Sequence, residues 1–134
     1  MLRQLIGTLT LLIAFSGVMA CQGEGNSEIT PSEAQKMIQS DSTLVLLDVR
    51  TLAEFHGDTG HLAGAKLIPV QELEQRINEL SEYQHRTILV YCRTGHRSTA
   101  AAQILRNHKF NVFNMTGGIA RWRSEDLPIV KEPN

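Results

Sequence analysis

The chain has 134 residues, with 13 Lys and Arg against 14 Asp and Glu, a formal net charge of −1. That near-balance leaves no strong field to gather nucleic acid or an anionic membrane surface, and the length allows one domain with a core that needs no disulfide staples. The two cysteines, Cys21 and Cys92, lie in segments of different character, so a disulfide between them is not expected.

Residues 1–20 carry one cation, Arg3, followed by an uncharged apolar run from Leu5 to Ala20, the layout of a secretory signal and too short for a membrane span. The run ends in Val18, Met19, Ala20 and Cys21, which resembles the lipobox of bacterial lipoproteins. That resemblance implies cleavage before Cys21, a diacylglyceryl group on its sulfur and, with Gln22 next, an anchor on the periplasmic face of the outer membrane. An uncleaved anchor or an ordinary signal with an incidental cysteine is the alternative. Loss of Arg3 would leave 12 − 14, a net charge near −2. Residues 21–28 form the expected tether: from Gln22 to Glu28 the chain is polar, Gly-rich and without an apolar residue to bury. The folded domain is expected over 29–131.

Thr30, Pro31 and Glu33 make a capping box with Pro at the first helical position, and Ala34, Met37 and Ile38 follow at helical spacing, so a helix starts there. Leu44 to Asp48 and Thr87 to Tyr91 are short continuous apolar runs, the pattern of strands covered on both faces of a parallel sheet. Ala65 to Ile68 and Val112 to Met115 are weaker strand candidates. Between them Val70, Leu73, Ile77 and Leu80 recur at helical spacing, and the Ala-rich stretch Ser98 to Asn107 favours helix. Strands alternating with helices predict an α/β fold with a mostly parallel central sheet and helices on both faces. In such folds the working groups gather outside the carboxyl ends of the strands, where Asp48 and Cys92 both fall.

From Val90 to Ser98 the chain reads as strand, loop and helix N-terminus, with Cys92, Arg93, Thr94, Gly95, His96, Arg97 and Ser98 forming the loop. Backbone N–H groups of such a loop, with the helix dipole behind them, make a cradle for an anion. A cysteine in that setting beside arginine has a pKa of about 3.5 to 7.5 and ionises at neutral pH. Cys92 is therefore the candidate nucleophile. The alternative, an inert buried thiol, does not explain two arginines and a glycine within five residues of it. Arg97 and Arg93 each have a competing reading as plain surface cations. His96 reads as a solvent-facing loop residue, since an ionised thiolate needs no base.

Three motifs now agree. LLDVRTLAEF (46–55) followed by GHLAGAKLIP (60–69), CRTGHRS (92–98) and GGIARW (117–122) together resemble a rhodanese-homology domain along most of residues 29–128. The resemblance implies the rhodanese-like α/β fold and a sulfurtransferase working by double displacement through a Cys92 persulfide. A small anionic donor such as thiosulfate would load the sulfur, with no cofactor and no metal, and an external thiol or cyanide would accept it. It places Arg93 to Ser98 around the persulfide, with Arg93 and Arg97 drawing in the donor. One departure stands out: His56, Gly57, Asp58 and Thr59 separate Phe55 from Gly60, where many members have two residues.

The loop from Cys92 to Arg97 spans six residues, resembling sulfur-handling members, whereas related phosphatases and arsenate reductases use a loop one residue longer. A shorter cradle suits a single sulfur atom rather than a tetrahedral group. A noncatalytic sulfur carrier, and less so a phosphatase or arsenate reductase, remain the alternatives. Asp48 and Arg50 are expected to support the loop, and Arg50 with Glu54 has the four-residue spacing of a helical ion pair. Gly60 with His61, and Gly117 with Gly118, are expected in turns, and Trp122 in the core.

Overall fold

A computed structural model describes residues 27–132, and the leader, Cys21 and most of the expected tether lie outside them. Five parallel strands form one sheet in the order β1-β5-β4-β2-β3: β1 (Glu28–Ile29), β2 (Val45–Asp48), β3 (Lys66–Leu67), β4 (Thr87–Tyr91) and β5 (Asn111–Met115). Helices α1 (Pro31–Ser40) and α5 (Gly118–Ser124) cover one face. The other face carries α3 (Val70–Leu73), a 3-10 segment (Ile77–Tyr83) and α4 (His96–Asn107). A short helix α2 (Leu52–His56) sits after β2.

The central strands show why a continuous apolar run was required. Val45 and Leu47 of β2 with Ile88 and Val90 of β4 enter the core under α4, while Leu46 and Leu89 enter the core under α1 and α5. Every residue of β2 is buried. Both faces of these strands are therefore dry, and the period-2 alternation divides the side chains between two cores rather than between core and water.

Thr30 and Glu33 close a capping box on α1, with the Thr30 N–H 2.8 Å from Glu33 Oε2. The same device starts α2, from Thr51 and Glu54. Three expectations are corrected in detail. The apolar stripe from Val70 to Leu80 is not one helix: at Arg76 the backbone leaves the helical region (φ −104°, ψ 10°), and a 3-10 segment follows. Arg76 spans the break, pairing with Glu72 at 2.7 Å and Glu79 at 2.8 Å. Helix α4 begins at His96 rather than Ser98, because Gly95 (φ +112°) turns the chain directly into it. Ser27 and Glu28, polar and assigned to the tether, belong to the fold: Asn114 N–H donates to Ser27 O at 2.8 Å, and Glu28 pairs with Asn114 in β1. Two residues are too few for periodicity to reveal such an edge strand.

After β2 the chain moves outward to β3, and after β4 it moves the opposite way to β5. The crevice between the carboxyl ends of β2 and β4 is thus the switch point of the sheet, where open α/β folds hold ligands. Asp48 and Tyr91 are register partners there, and Cys92 is the next residue.

Candidate functional site

Cys92 follows β4 at the carboxyl edge of the sheet and is buried, 1% exposed as a whole residue. The chain leaves β4, turns through Arg93 and Thr94, and enters α4 at Gly95. The Gly95 N–H donates to Cys92 Sγ at 3.0 Å. Burial pushes the thiol pKa up, but the hydroxyl and N–H of Ser98 and the N–H groups of Gly95 and Thr94 outweigh it, and the net shift is downward. The Ser98 hydroxyl has a single proton to share between that sulfur and the Gly95 carbonyl, which lies 3.1 Å away. Thr99 also donates to the Gly95 carbonyl, at 2.8 Å. The loop carbonyls are thus turned outward and bonded while the N–H groups face the sulfur.

A second helix fixes that orientation. At the N-terminus of α5, the Ile119 N–H donates to the Cys92 carbonyl at 2.9 Å and the Ala120 N–H to the Arg93 carbonyl at 3.0 Å. Gly118 makes this approach possible: a Cβ on it would collide with the carbonyl oxygens of Cys92 and Arg93, and its φ of +57° is left-handed. Gly117 makes the expected turn at φ +74°, and Gly118 does more. Gly118 lets α5 hold the back of the loop, a role that spacing alone does not reveal.

The supporting pair is deeper than a surface ion pair. Asp48 is 0% exposed and Arg50 1%. Arg50 Nη2 reaches Asp48 Oδ2 at 2.6 Å and Nε reaches both carboxylate oxygens at 3.0 Å. The guanidinium also donates to Gly60 O at 2.8 Å and to Thr59 Oγ1 at 3.0 Å. Burial lowers the Arg50 pKa, but the Asp48 contacts outweigh it and the group is held charged. The expected Arg50–Glu54 ion pair is not formed. Arg50 precedes the Thr51 cap, so it is not on α2, and it meets only the Glu54 carbonyl, at 3.4 Å. The four residues His56 to Thr59 are likewise tied down, through the two Arg50 bonds to Thr59 and Gly60 and through Thr59 Oγ1 on Glu54 O at 3.3 Å.

The Glu54 carboxylate pairs instead with Arg97, Oε2 with Nη1 and Oε1 with Nη2, both at 2.7 Å. Thr51 donates to it from both its N–H and its hydroxyl at 3.0 Å. The Arg97 bonds pull the Glu54 pKa down to about 2, against a smaller upward push from burial. Arg97 is therefore engaged and half-buried beside the loop. Arg93, Thr94 and His96 are exposed around the opening, and Ser98 is buried beneath the loop. Among the described residues Arg93 is in no salt bridge, and Cys92 is the one free cysteine.

His61 and Trp122 are structural. The His61 ring stacks on Phe55 with centroids 3.7 Å apart, and its Nδ1 lies 3.0 Å from the Phe55 carbonyl, an acceptor that requires the proton on that nitrogen. Trp122 is 1% exposed and donates to Pro128 O at 2.9 Å. Among the described residues no three His, Cys, Asp or Glu side chains gather closely enough to hold a metal ion.

Residues 30–125 match the family described as Rhodanese-like domain. The chain belongs to the rhodanese family. The rhodanese chain is 34% identical over 118 residues to the "Probable adenylyltransferase/sulfurtransferase MoeZ" of Mycobacterium tuberculosis, covering 85% of this chain and 30% of that protein. It is 30% identical over 105 residues to a protein of Allochromatium vinosum named "Sulfurtransferase", covering 78% and 94%. Its spans of the longer relatives are partial, 63% for a Synechocystis protein and 30% for the mycobacterial one. Among solved structures, a rhodanese-related protein from Thermoplasma volcanium superposes with a TM-score of 0.70 at 30% identity, covering 78% of this chain and 98% of that one. The expected α/β rhodanese fold, with its parallel sheet covered on both faces, is the fold observed.

Proposed function

We propose that this rhodanese is a sulfurtransferase that carries a sulfane sulfur as a persulfide on Cys92. The observation that carries the reading is the cradle itself: a thiol with a lowered pKa, faced by the N–H groups of Thr94, Gly95 and Ser98. The Cys92 thiolate attacks the outer sulfur of thiosulfate. A new S–S bond forms to Cys92 as the donor's S–S bond breaks, and sulfite leaves with the bonding electron pair. The terminal sulfur of the persulfide then sits where the N–H groups converge, and its negative charge is stabilised there. An external thiol or cyanide attacks that sulfur and returns Cys92 as the thiolate. Cys92 being the one cysteine of the described residues favours an acceptor from outside the domain.

Arg93, exposed at the opening, draws in the anionic donor, with Thr94 and His96 lining the approach, while Arg97 and Ser98 shape the loop. Asp48 and Arg50 hold the rim and take no part in bond changes. The leader supports a lipid anchor on Cys21 that would keep the enzyme at the periplasmic face of the outer membrane, a placement that radiolabelled-lipid incorporation lost in Cys21→Ser would test.

Steady-state kinetics test the reaction. Thiosulfate and cyanide varied together should give parallel double-reciprocal lines, the mark of double displacement, and Cys92→Ser should give no thiocyanate. A chain that takes up sulfur but never releases it to cyanide or thiols would be a carrier instead. Hydrolysis of an aryl phosphate that disappears in Cys92→Ser would favour the phosphatase reading.

A further inference from the structure

The Gly95 carbonyl is crowded with donors. The Thr99 hydroxyl lies 2.8 Å from it, the Thr99 N–H 3.0 Å and the Ser98 hydroxyl 3.1 Å. A carbonyl oxygen has two lone pairs, and Thr99 alone can fill both. The Ser98 proton, which cannot serve two acceptors, is then left to the Cys92 sulfur. Burial opposes ionisation of Cys92, and the Ser98 hydroxyl is the largest of the contacts that favour it. The direction of the Thr99 proton therefore decides what Ser98 does.

That direction is fixed from β5. Asn114, 1% exposed, donates from its amide nitrogen to Thr99 Oγ1 at 3.2 Å and to Glu28 Oε2 at 2.9 Å. An ionised carboxylate only accepts, so the nitrogen must face Glu28, and the reverse orientation of the amide would set oxygen against oxygen there. Asn114 Oδ1 is left buried with no hydrogen-bond partner among the described residues, an arrangement that only the two contacts of the nitrogen favour. With its oxygen already accepting from Asn114, the Thr99 hydroxyl turns its own proton to the Gly95 carbonyl. We propose that Asn114 is a positioning residue for Cys92: acting through Thr99, it saturates the Gly95 carbonyl and so directs the Ser98 proton to the sulfur. Glu28 belongs to β1, so the N-terminal edge strand is the outer end of this route. It rests on the sulfurtransferase reading only for the use to which the thiolate is put.

Alkylation of Cys92 by iodoacetamide, a neutral reagent, tests this without any sulfur transfer. The full chain is used, and the rate on the Cys92-bearing peptide is followed against pH. Thr99→Val removes the hydroxyl with little change of shape and should move the midpoint of the profile up by about 0.5, roughly a threefold loss of rate on its acid side, the size of a partly lost hydrogen bond. Thr99→Ser, which restores the hydroxyl, should bring the midpoint back. Asn114→Leu should move it in the same direction as Thr99→Val and by no more. In Thr99→Val there is nothing left for Asn114 to orient, so adding Asn114→Leu should leave the midpoint where Thr99→Val put it. In a Ser98→Ala background neither change should move the profile. A merely structural role would lower the melting temperature without this order of dependence.

Thr99→Val with an unmoved midpoint overturns the proposal. Thr99 is exposed, so that variant keeps the test decisive if the buried Asn114 variant melts below the assay temperature. Shifts from Asn114→Leu and Thr99→Val that add in the double variant, or that persist without the Ser98 hydroxyl, overturn it too. The expected shifts without any persulfide chemistry would overturn the sulfurtransferase reading alone. Sulfur transfer with unmoved midpoints would overturn this proposal alone.

Discussion

The two walls of the crevice are built by opposite means. The loop wall, Cys92 to Ser98, is held by backbone: N–H groups of α5 on the carbonyls of Cys92 and Arg93, and the Gly95 N–H on the sulfur. The rim wall, from Asp48 to Gly60, is held by charge: Arg50 on Asp48, Thr59 and Gly60, and Glu54 on Arg97. Backbone groups hold the reacting atom without adding net charge beside it. Charged side chains hold the rim. Sensitivity should follow the same division, to glycine substitution on one wall and to charge substitution on the other.

The largest effect is expected at the rim's buried pair. Arg50→Met leaves the Asp48 carboxylate buried without its partner and should cost about 3–5 kcal/mol in urea unfolding. Adding Asp48→Leu should recover much of that loss; a double variant as unstable as the single one would break the charge account of this wall. Next comes Gly118→Ala, which sets a methyl group against the carbonyls of Cys92 and Arg93 at a positive φ. It should destabilise by roughly 2–3 kcal/mol and raise the Cys92 pKa as the cradle is pushed apart, seen as a shift of the alkylation–pH profile to higher pH.

A smaller effect is expected from acid. Glu54 has its pKa lowered from 4.5 to about 2, so its contribution is fully present above about pH 4.5 and is lost as pH falls from there toward 2. Allowing for partial exposure, that contribution is roughly 1–2 kcal/mol. Unfolding free energies of wild type and Glu54→Gln should therefore differ at pH 7 and converge near pH 2; a constant difference would contradict the assigned pair. The smallest effect is at a site that belongs to neither wall. Thr30→Ala removes the α1 cap and should cost about 1 kcal/mol while leaving the Cys92 alkylation rate unchanged.

Much of this was legible in the sequence because it rests on local rules. The capping box of Thr30 and Glu33, the two continuous apolar strands and the strand–loop–helix around Cys92 each depend on neighbours in the chain. What was not legible depends on partners far apart. Glu54 stands four residues from Arg50 and 43 from Arg97, yet it pairs with the distant one, because the switch point brings α2 beside α4 and because Arg50 is already committed to Asp48. The role of Gly118 is hidden for the same reason: the contact it permits lies 26 residues back, at Cys92. β1 escaped because two residues show no period.

In the proposed reaction the Cys92 sulfur carries the transferred atom. Its most direct test is the mass of the Cys92-bearing peptide after the full chain is treated with thiosulfate and then with cyanide. A gain of one sulfur, about 32 Da, absent from Cys92→Ser and removed by cyanide, is the predicted result. An unchanged mass with thiosulfate and with other sulfane donors would contradict it.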